Sequence, residues 1–416
     1  MNSVYFDNAS STPVDKEVLK EMEPLWRENF GNPLSLHSFG QNAKKVLENS
    51  RKIVADFLGA ESQEIVFTSG ATESSNLAIN GVINGIKSAS GLITPRGEIK
   101  NDGLLTNNDG GHKHKKSHVV TLKIEHHSVM RPCEELVKTG MAEVTYLSVE
   151  KDGVLDVEKF RKAIQKNTRL VSIMAVNNEI GTIQPIKEIG AIIAQENSQR
   201  SEDERIYFHT DMAQAYSLNY KAKDLNIDLA SFSGHKFYGP KGSGVLYVRK
   251  GTPLVPVNYG GMQENGMRPG TQNIPAIVGI AKAIEILNED DVQKVKKLQS
   301  ILIDKTLSEI SGSCLNGSRE KRVYNNINFS FSGVEGESLV LKLDKQGFAV
   351  STGSACAVGM TEVSHVLTDI GLSPQQARSS IRITLGKQNI EDEVNAFVEA
   401  LKDSVNQLRS IAGYHV

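Results

Sequence analysis

Between about residues 64 and 250, short runs of β-branched and apolar residues alternate with segments of helical periodicity. The runs are EIVFT (64–68), SHVVTL (117–122), EVTYLSV (143–149), RLVSIMAV (169–176), RIYFHTD (205–211), DLASFS (228–233) and SGVLYVR (243–249). Such alternation is the signature of βαβ units, and it predicts an α/β domain whose mostly parallel sheet is flanked by helices. Beyond this region the chain changes character. A helical pattern runs from Ile274 to about Ser308, an isolated strand NNINFSF follows at 325–331, and a closing helix sets Val394, Phe397, Val398, Leu401, Val405, Leu408 and Ile411 on one face, with Asn389 as its expected start. At 416 residues the chain is long enough for two domains. The expected division is a large domain over 15–290 and a smaller α+β domain made of 1–14 and 291–416.

The stretch from about 87 to 116 breaks the pattern. It is rich in Gly, Asn, Lys and Asp without periodicity, and reads as a solvated surface insertion. His112, His114 and His118 lie in or beside it, and a metal site there is the other reading, with no Cys to support it. Lys plus Arg number 47 against 49 Asp plus Glu, a balance that favours a small-molecule substrate over nucleic acid or an anionic membrane. Three scattered cysteines, Cys133, Cys314 and Cys356, suit neither a disulfide framework nor a structural zinc site. No signal-peptide pattern and no apolar stretch of bilayer-spanning length occurs, so the expected location is the cytoplasm.

Three segments carry chemistry. SFSGHKFYGPKG (231–242) ends a strand in Ser, Gly, His and Lys before a glycine-rich turn. Lysine forms a Schiff base with an aldehyde cofactor, and Ser233 and His235 can donate to a phosphate; a merely solvated turn is the other reading. IVFTSGATESSNLAI (65–79) runs from a strand through Ser69, Gly70, Ala71 and Thr72 into a helix whose N-terminus favours an anion; Thr72 as a plain cap is the alternative. HTDMAQA (209–215) sets Asp211 at the C-terminal end of an apolar strand, where open α/β sheets bind ligands.

With EHHSV (125–129), NNEIG (177–181), GMRPGT (266–271), STGSACAVG (351–359), SSIRITLG (379–386) and FDNASSTPVD (6–15), these segments make the chain resemble the cysteine desulfurases of the NifS and IscS type, fold-type-I pyridoxal-phosphate (PLP) enzymes of the class V aminotransferase group. The resemblance covers nearly the whole chain apart from the insertion. It implies PLP as cofactor and L-cysteine as substrate, with Lys236 as the Schiff-base lysine. His126 matches the residue stacked on the cofactor ring and His127 a bystander, while Asp211 matches the partner of the ring nitrogen and Gln214 that of the phenolic oxygen. Ala71, Thr72, Ser233 and His235 match the phosphate cradle. Thr271 matches a phosphate contact from a neighbouring subunit, which implies a homodimer. Arg382 matches the clamp on the substrate carboxylate, helped by Asn178 and Asn32.

Cys356 matches the residue that takes the sulfur as a persulfide and passes it to an acceptor protein, an iron–sulfur scaffold or a tRNA-thiolating enzyme. Its small, glycine-bearing neighbours suit a thiol that must be accessible, whereas Cys133 and Cys314 are expected to be buried small hydrophobes. The chain departs from the common family spelling at Met212, Met262, Pro269 and Lys387, none of them a catalytic side chain, and its end, LRSIAGYHV, lacks the extension that docks the scaffold in IscS-like members. Rival readings are a selenocysteine lyase or small-substrate aminotransferase, against which Cys356 argues, and an inactive dimeric adaptor, against which the full set of site residues argues.

Overall fold

The computed structural model describes residues 3–89, 116–352 and 363–414. A short strand β1 (Val4–Tyr5) opens the chain. Strands β2 (Ile65–Thr68), β3 (Ser117–Leu122), β4 (Ala142–Leu147), β5 (Thr168–Ser172), β6 (Tyr207–Asp211), β7 (Leu229–Ser233) and β8 (Gly244–Val248) then form one sheet in the order β2-β8-β7-β6-β5-β3-β4. Neighbours from β7 to β4 are parallel, while β8 runs antiparallel to both β2 and β7. Each apolar run of the sequence supplies one strand of this mostly parallel sheet.

The strands read as continuous apolar runs because both faces of the sheet are covered. Val120, Val171, Phe208, Ala230 and Val245 belong to one core, and their sequence neighbours Val119, Leu170, Tyr207, Leu229 and Leu246 to another, since successive side chains of a strand point to opposite sides. Two histidines within the runs are satisfied locally. His209 is held between Ser172 Oγ at 2.8 Å and Ser231 Oγ at 2.9 Å, and complete burial brings its pKa down to about 3, so it is a neutral core residue. His118 lies between the hydroxyls of Thr168 and Thr145, each at 2.8 Å, which leaves neither ring nitrogen for a metal. His112 and His114 fall outside the described residues.

After the helix Ile274–Glu285 the chain builds β9 (Ser313–Leu315), β10 (Asn326–Phe331), β11 (Phe348–Ala349) and β12 (Ser380–Thr384). NNINFSF is not isolated: β10 is the centre of an antiparallel sheet ordered β12-β10-β9, of which β9 has only three residues. The pattern from Ile274 to Ser308 is two helices, Ile274–Glu285 and Glu289–Glu309, because Asn288 caps the second by accepting from Asp291 N at 2.8 Å. The closing helix spans Glu391–Ile411 with Ile390 at its N-cap, one residue after Asn389. Ile411, expected on the apolar face, is 81% exposed at the helix end, where no element covers it. Cys314 also departs from expectation. It is exposed, because β9 is an edge strand and its middle side chain faces solvent, while Cys133 is buried.

The N-terminus closes this second region. β1 pairs with β11, Asp7 bridges to Thr384, and Phe6 enters a core with Phe329, Ile381 and Leu401. There the Phe397 ring meets Phe6 edge-on at 5.2 Å and Phe348 at 5.4 Å. Since Phe397 is fully buried between the two ends of the chain, Phe397→Ala is expected to cost about 3–5 kcal/mol, read as a lowered denaturation midpoint for this region in urea.

Candidate active site

The carboxyl ends of the parallel strands, together with the turn after β2 and residues 9–11, enclose a cavity of about 520 Å³. That is where ligands sit in open α/β sheets, because the chain leaves each strand there and exposes its polar atoms. Ala71, Thr72, His126, Asn178, Asp211, Gln214, Ser233, His235, Lys236 and Arg382, all singled out in the sequence, line this one cavity.

One wall is the turn from β2 into the helix Ala71–Ala89. The first-turn amides of a helix have no partner within it and carry the positive end of its dipole, so Ala71 and Thr72 sit where an anion is favoured. β8 crosses so close behind this turn that a Cβ on Gly244 would lie 2.4 Å from Gly70 Cα, and only glycine fits. Ser233, at the end of β7, and His235 complete the wall. Burial, then the charges of Lys236 and Lys241, bring the His235 pKa down to about 4.

The floor holds the acid–base groups. Asp211 ends β6, is buried, and accepts from Ala213 N at 2.9 Å. Burial pushes its carboxyl upward, opposed by the Ala213 amide, the Lys236 ammonium and a hydrogen bond from Ser128. The Ser128 hydroxyl is also 2.8 Å from His126 Nδ1, so Asp211, Ser128 and His126 form one chain. Burial, followed by the positive charge of Lys236, lowers the His126 pKa to about 4. Its Nδ1 also lies 3.1 Å from Ser128 N. Lys236 follows β7, and its Nζ donates to Ala9 O at 2.8 Å and Ser10 O at 3.0 Å. Gln214 Nε2 donates to the same Ala9 carbonyl at 3.0 Å.

The remaining wall comes from β12. Arg382 is nearly fully buried; its Nη1 donates to Asn178 O at 3.0 Å, and its Nη2 to Asp7 Oδ1 at 2.8 Å and Ser10 Oγ at 2.7 Å. The guanidinium is therefore aimed before any substrate arrives.

Two residues stand apart. Asn32 is exposed outside the cavity, its Oδ1 accepting from Leu34 N, and Thr271 is likewise exposed and does not line it. Cys356 and most of the 87–116 stretch lie outside the described residues. Sequence reasoning missed Asp7, Glu125 and His365. Asp7 belongs to FDNASSTPVD, whose recurrence was a signal without a role. Glu125 is fully buried, with Oε1 accepting from Met174 N at 2.7 Å; its pKa is raised well above the ordinary value, by burial first, with the Asp211 charge adding to it. His365 donates from Nε2 to Glu125 O at 3.0 Å and packs against His127 at 5.2 Å. His127, read as a bystander, also lines the cavity.

These groups fit pyridoxal phosphate. An amine stands at Lys236, a helix N-terminus with flanking Ser233 and His235 suits a phosphate, and the buried Asp211 carboxylate gains from an N–H partner of positive charge. The aminotransferase class-V family profile matches residues 4–102 and 102–397. The chain is 43% identical over 415 residues to cysteine desulfurase IscS of Dictyoglomus turgidum, covering 99% of this chain and 96% of that protein. It is 44% identical over 414 residues to cysteine desulfurase IscS of Methanosarcina thermophila, covering 99% and 94%. The solved structure of a NifS-like protein superposes with a TM-score of 0.84 at 35% identity, covering 97% of this chain and all of that one. The chain belongs to the aminotransferase class-V family and, within it, to the PLP-dependent cysteine desulfurases.

Proposed function

We propose that this desulfurase moves the sulfur of L-cysteine onto Cys356 and releases L-alanine, with Lys236, Asp211, His126 and Arg382 supplying the fixed chemistry. What carries this reading is that these four side chains, distant in sequence, line one cavity. When bound, PLP supplies the electron withdrawal that weakens the substrate's C–S bond. Lys236 Nζ tethers its aldehyde carbon, Asp211 partners the ring N–H, and Gln214 the phenolic oxygen. Ala71, Thr72, Ser233 and His235 take the phosphate. His126 would face the ring as an uncharged group. Arg382 grips the substrate carboxylate with the planar fork that suits it, steadied by the Asn178 carbonyl at 3.0 Å.

The Cys356 thiolate then attacks the substrate sulfur. An S–S bond forms as the Cβ–S bond breaks, the electron pair of the broken bond stays with carbon, and a proton converts that carbon to the methyl group of alanine. Cys133 is unsuited to this role, because burial pushes its thiol up to about 12 and only a thiolate is nucleophilic. The persulfide passes to an acceptor protein, an iron–sulfur scaffold or a tRNA-thiolating enzyme, in the cytoplasm, where thiols stay reduced. A large domain over 15–290 and a small one made of 1–14 and 291–416 frame the site.

The working unit in this reading is a homodimer. Trp26, Phe30, Leu34, Leu36 and Phe39 are large, apolar and exposed within one short stretch, Leu36 at 93%. Leu34 shares a groove with Met262 and Gln272, next to Thr271. An apolar patch of this kind marks a contact surface, and joining two copies there lets Thr271 reach the neighbour's phosphate.

Cys356→Ala is expected to keep PLP absorbance and cysteine binding while sulfide release falls by about three orders of magnitude or more. Peptide mass spectrometry of wild-type protein treated with cysteine should find the extra sulfur on Cys356; finding it on Cys133 or the exposed Cys314 would sink the assignment. Because the His126 pKa lies below its unfolded value, the ring is neutral above about pH 5 and charges only as pH falls toward 4. Its imidazole NMR signals, assigned with His126→Gln, should stay constant from pH 6 to 8. Leu36→Glu is expected to shift sedimentation toward single chains and to weaken PLP retention in parallel; a fully active monomer would refute the dimer.

A further inference from the structure

The segment that carries Thr271 contains a feature the reaction does not use. Glu264 sits in an otherwise exposed stretch, beside Met262 at 78% exposure, yet its own side chain is 1% exposed. Its carboxylate accepts from Arg51 Nη1 and Nη2, each at 2.8 Å, from Phe67 N at 3.0 Å and from Gln272 Nε2 at 3.1 Å. Arg51 in turn donates to Ile65 O at 2.8 Å and lies over the Phe67 ring at 4.8 Å. Glu264 and Asn265 both adopt left-handed backbone, with φ of 47° and 55°. Non-glycine residues persist in that conformation only where their surroundings over-determine it.

A buried ion pair is a poor route to stability, since desolvation offsets most of its attraction. What a two-pronged Arg–carboxylate pair supplies is one geometry. Here that geometry joins three places: the long helix Ser38–Leu58 through Arg51, strand β2 through Phe67 N, and residue 272, the neighbour of Thr271. We infer that Glu264, gripped by Arg51, is a positioning residue that holds segment 263–272 in the shape in which Thr271 meets the phosphate site of the adjoining subunit. The inference rests on the dimer reading above. Within its own chain Thr271 lies outside the cavity, so the pair acts on the neighbour's copy of the site and not on that of its own subunit.

The test uses mixed dimers purified through two affinity tags, in which Lys236→Ala silences one cofactor site. In the first arrangement Glu264→Gln is placed on the silenced chain, so the surviving site receives the altered segment from across the dimer. In the second it is placed on the active chain, and the surviving site receives a native segment. The dissociation constant for PLP is read by its absorbance. Loss of charge-assisted contacts is expected to raise it about tenfold in the first arrangement, matching Thr271→Ala placed there, and by less than about threefold in the second. An equal or larger effect in the second arrangement overturns the inference, as does no effect in the first while Thr271→Ala there weakens PLP. If Thr271→Ala itself has no effect across the dimer, the dimer reading of Thr271 fails, and this inference fails with it. Should Glu264→Gln unfold the chain, Gln272→Met cuts the link to Thr271 while leaving Phe67 and Arg51 bonded, and the same outcomes apply.

Discussion

Everything at the site depends on how residues 7 to 12 are hydrogen-bonded between the two halves of the chain. On one side Asn8 Nδ2 donates to Thr384 O at 2.8 Å, Ala9 N donates to Thr384 Oγ1 at 2.9 Å, and Asp7 receives Arg382. On the other, Thr12 N and Oγ1 both donate to His235 O, Tyr238 N donates to Thr12 Oγ1 at 2.7 Å, and the Ala9 carbonyl takes both Lys236 Nζ and Gln214 Nε2. Backbone polar groups in a buried strip must find partners. Because these partners come from β12 and from the loop after β7, satisfying the strip also fixes the distance between the arginine and the lysine. Arg382 and Lys236 are thereby placed in one frame by six residues that contain neither.

Burial then selects the charge states. A floor of low polarity favours neutral forms, so Glu125 and Asp211 are pushed up and His126 and His235 down. The opposing interactions differ from group to group. Asp211 has the Lys236 ammonium, the Ala213 amide and Ser128 to favour its ionised form, whereas Glu125 has one backbone amide and the repulsion of Asp211. Burial thus raises both acids of the floor, and Asp211 meets more opposition to that rise than Glu125 does.

How far the site could be read in advance depended on whether a residue's role is local. Thr72, Ser233, His235 and Lys236 sit in strand-to-turn segments whose chemistry is visible over a few positions, and all line the cavity. Glu125, Asp7 and His365 take their roles from partners far away in the chain, Met174, Arg382 and the Glu125 carbonyl, and nothing in their own neighbourhoods announces it. Cys314 was misjudged for a related reason: its burial turned on β9 being an edge strand, which is a property of the sheet rather than of the residue. The strand content of residues 64–250 was legible because a sheet covered on both faces demands unbroken apolar runs. The three-residue β9 left no such trace.

By itself, then, the sequence determined the α/β class, the parallel core and the segments that bring the lysine, the aspartate and the turn after β2 to the cavity, because periodicity and turn chemistry act over a few residues. Tertiary structure alone decided that Arg382 is held by Asp7 and Ser10, that burial lowers the His126 pKa, that Thr271 lies outside its own chain's cavity, and that Glu264 is buried in a left-handed turn. Each of these rests on which groups meet across hundreds of positions and how much water is excluded between them, quantities that no local pattern of residues contains.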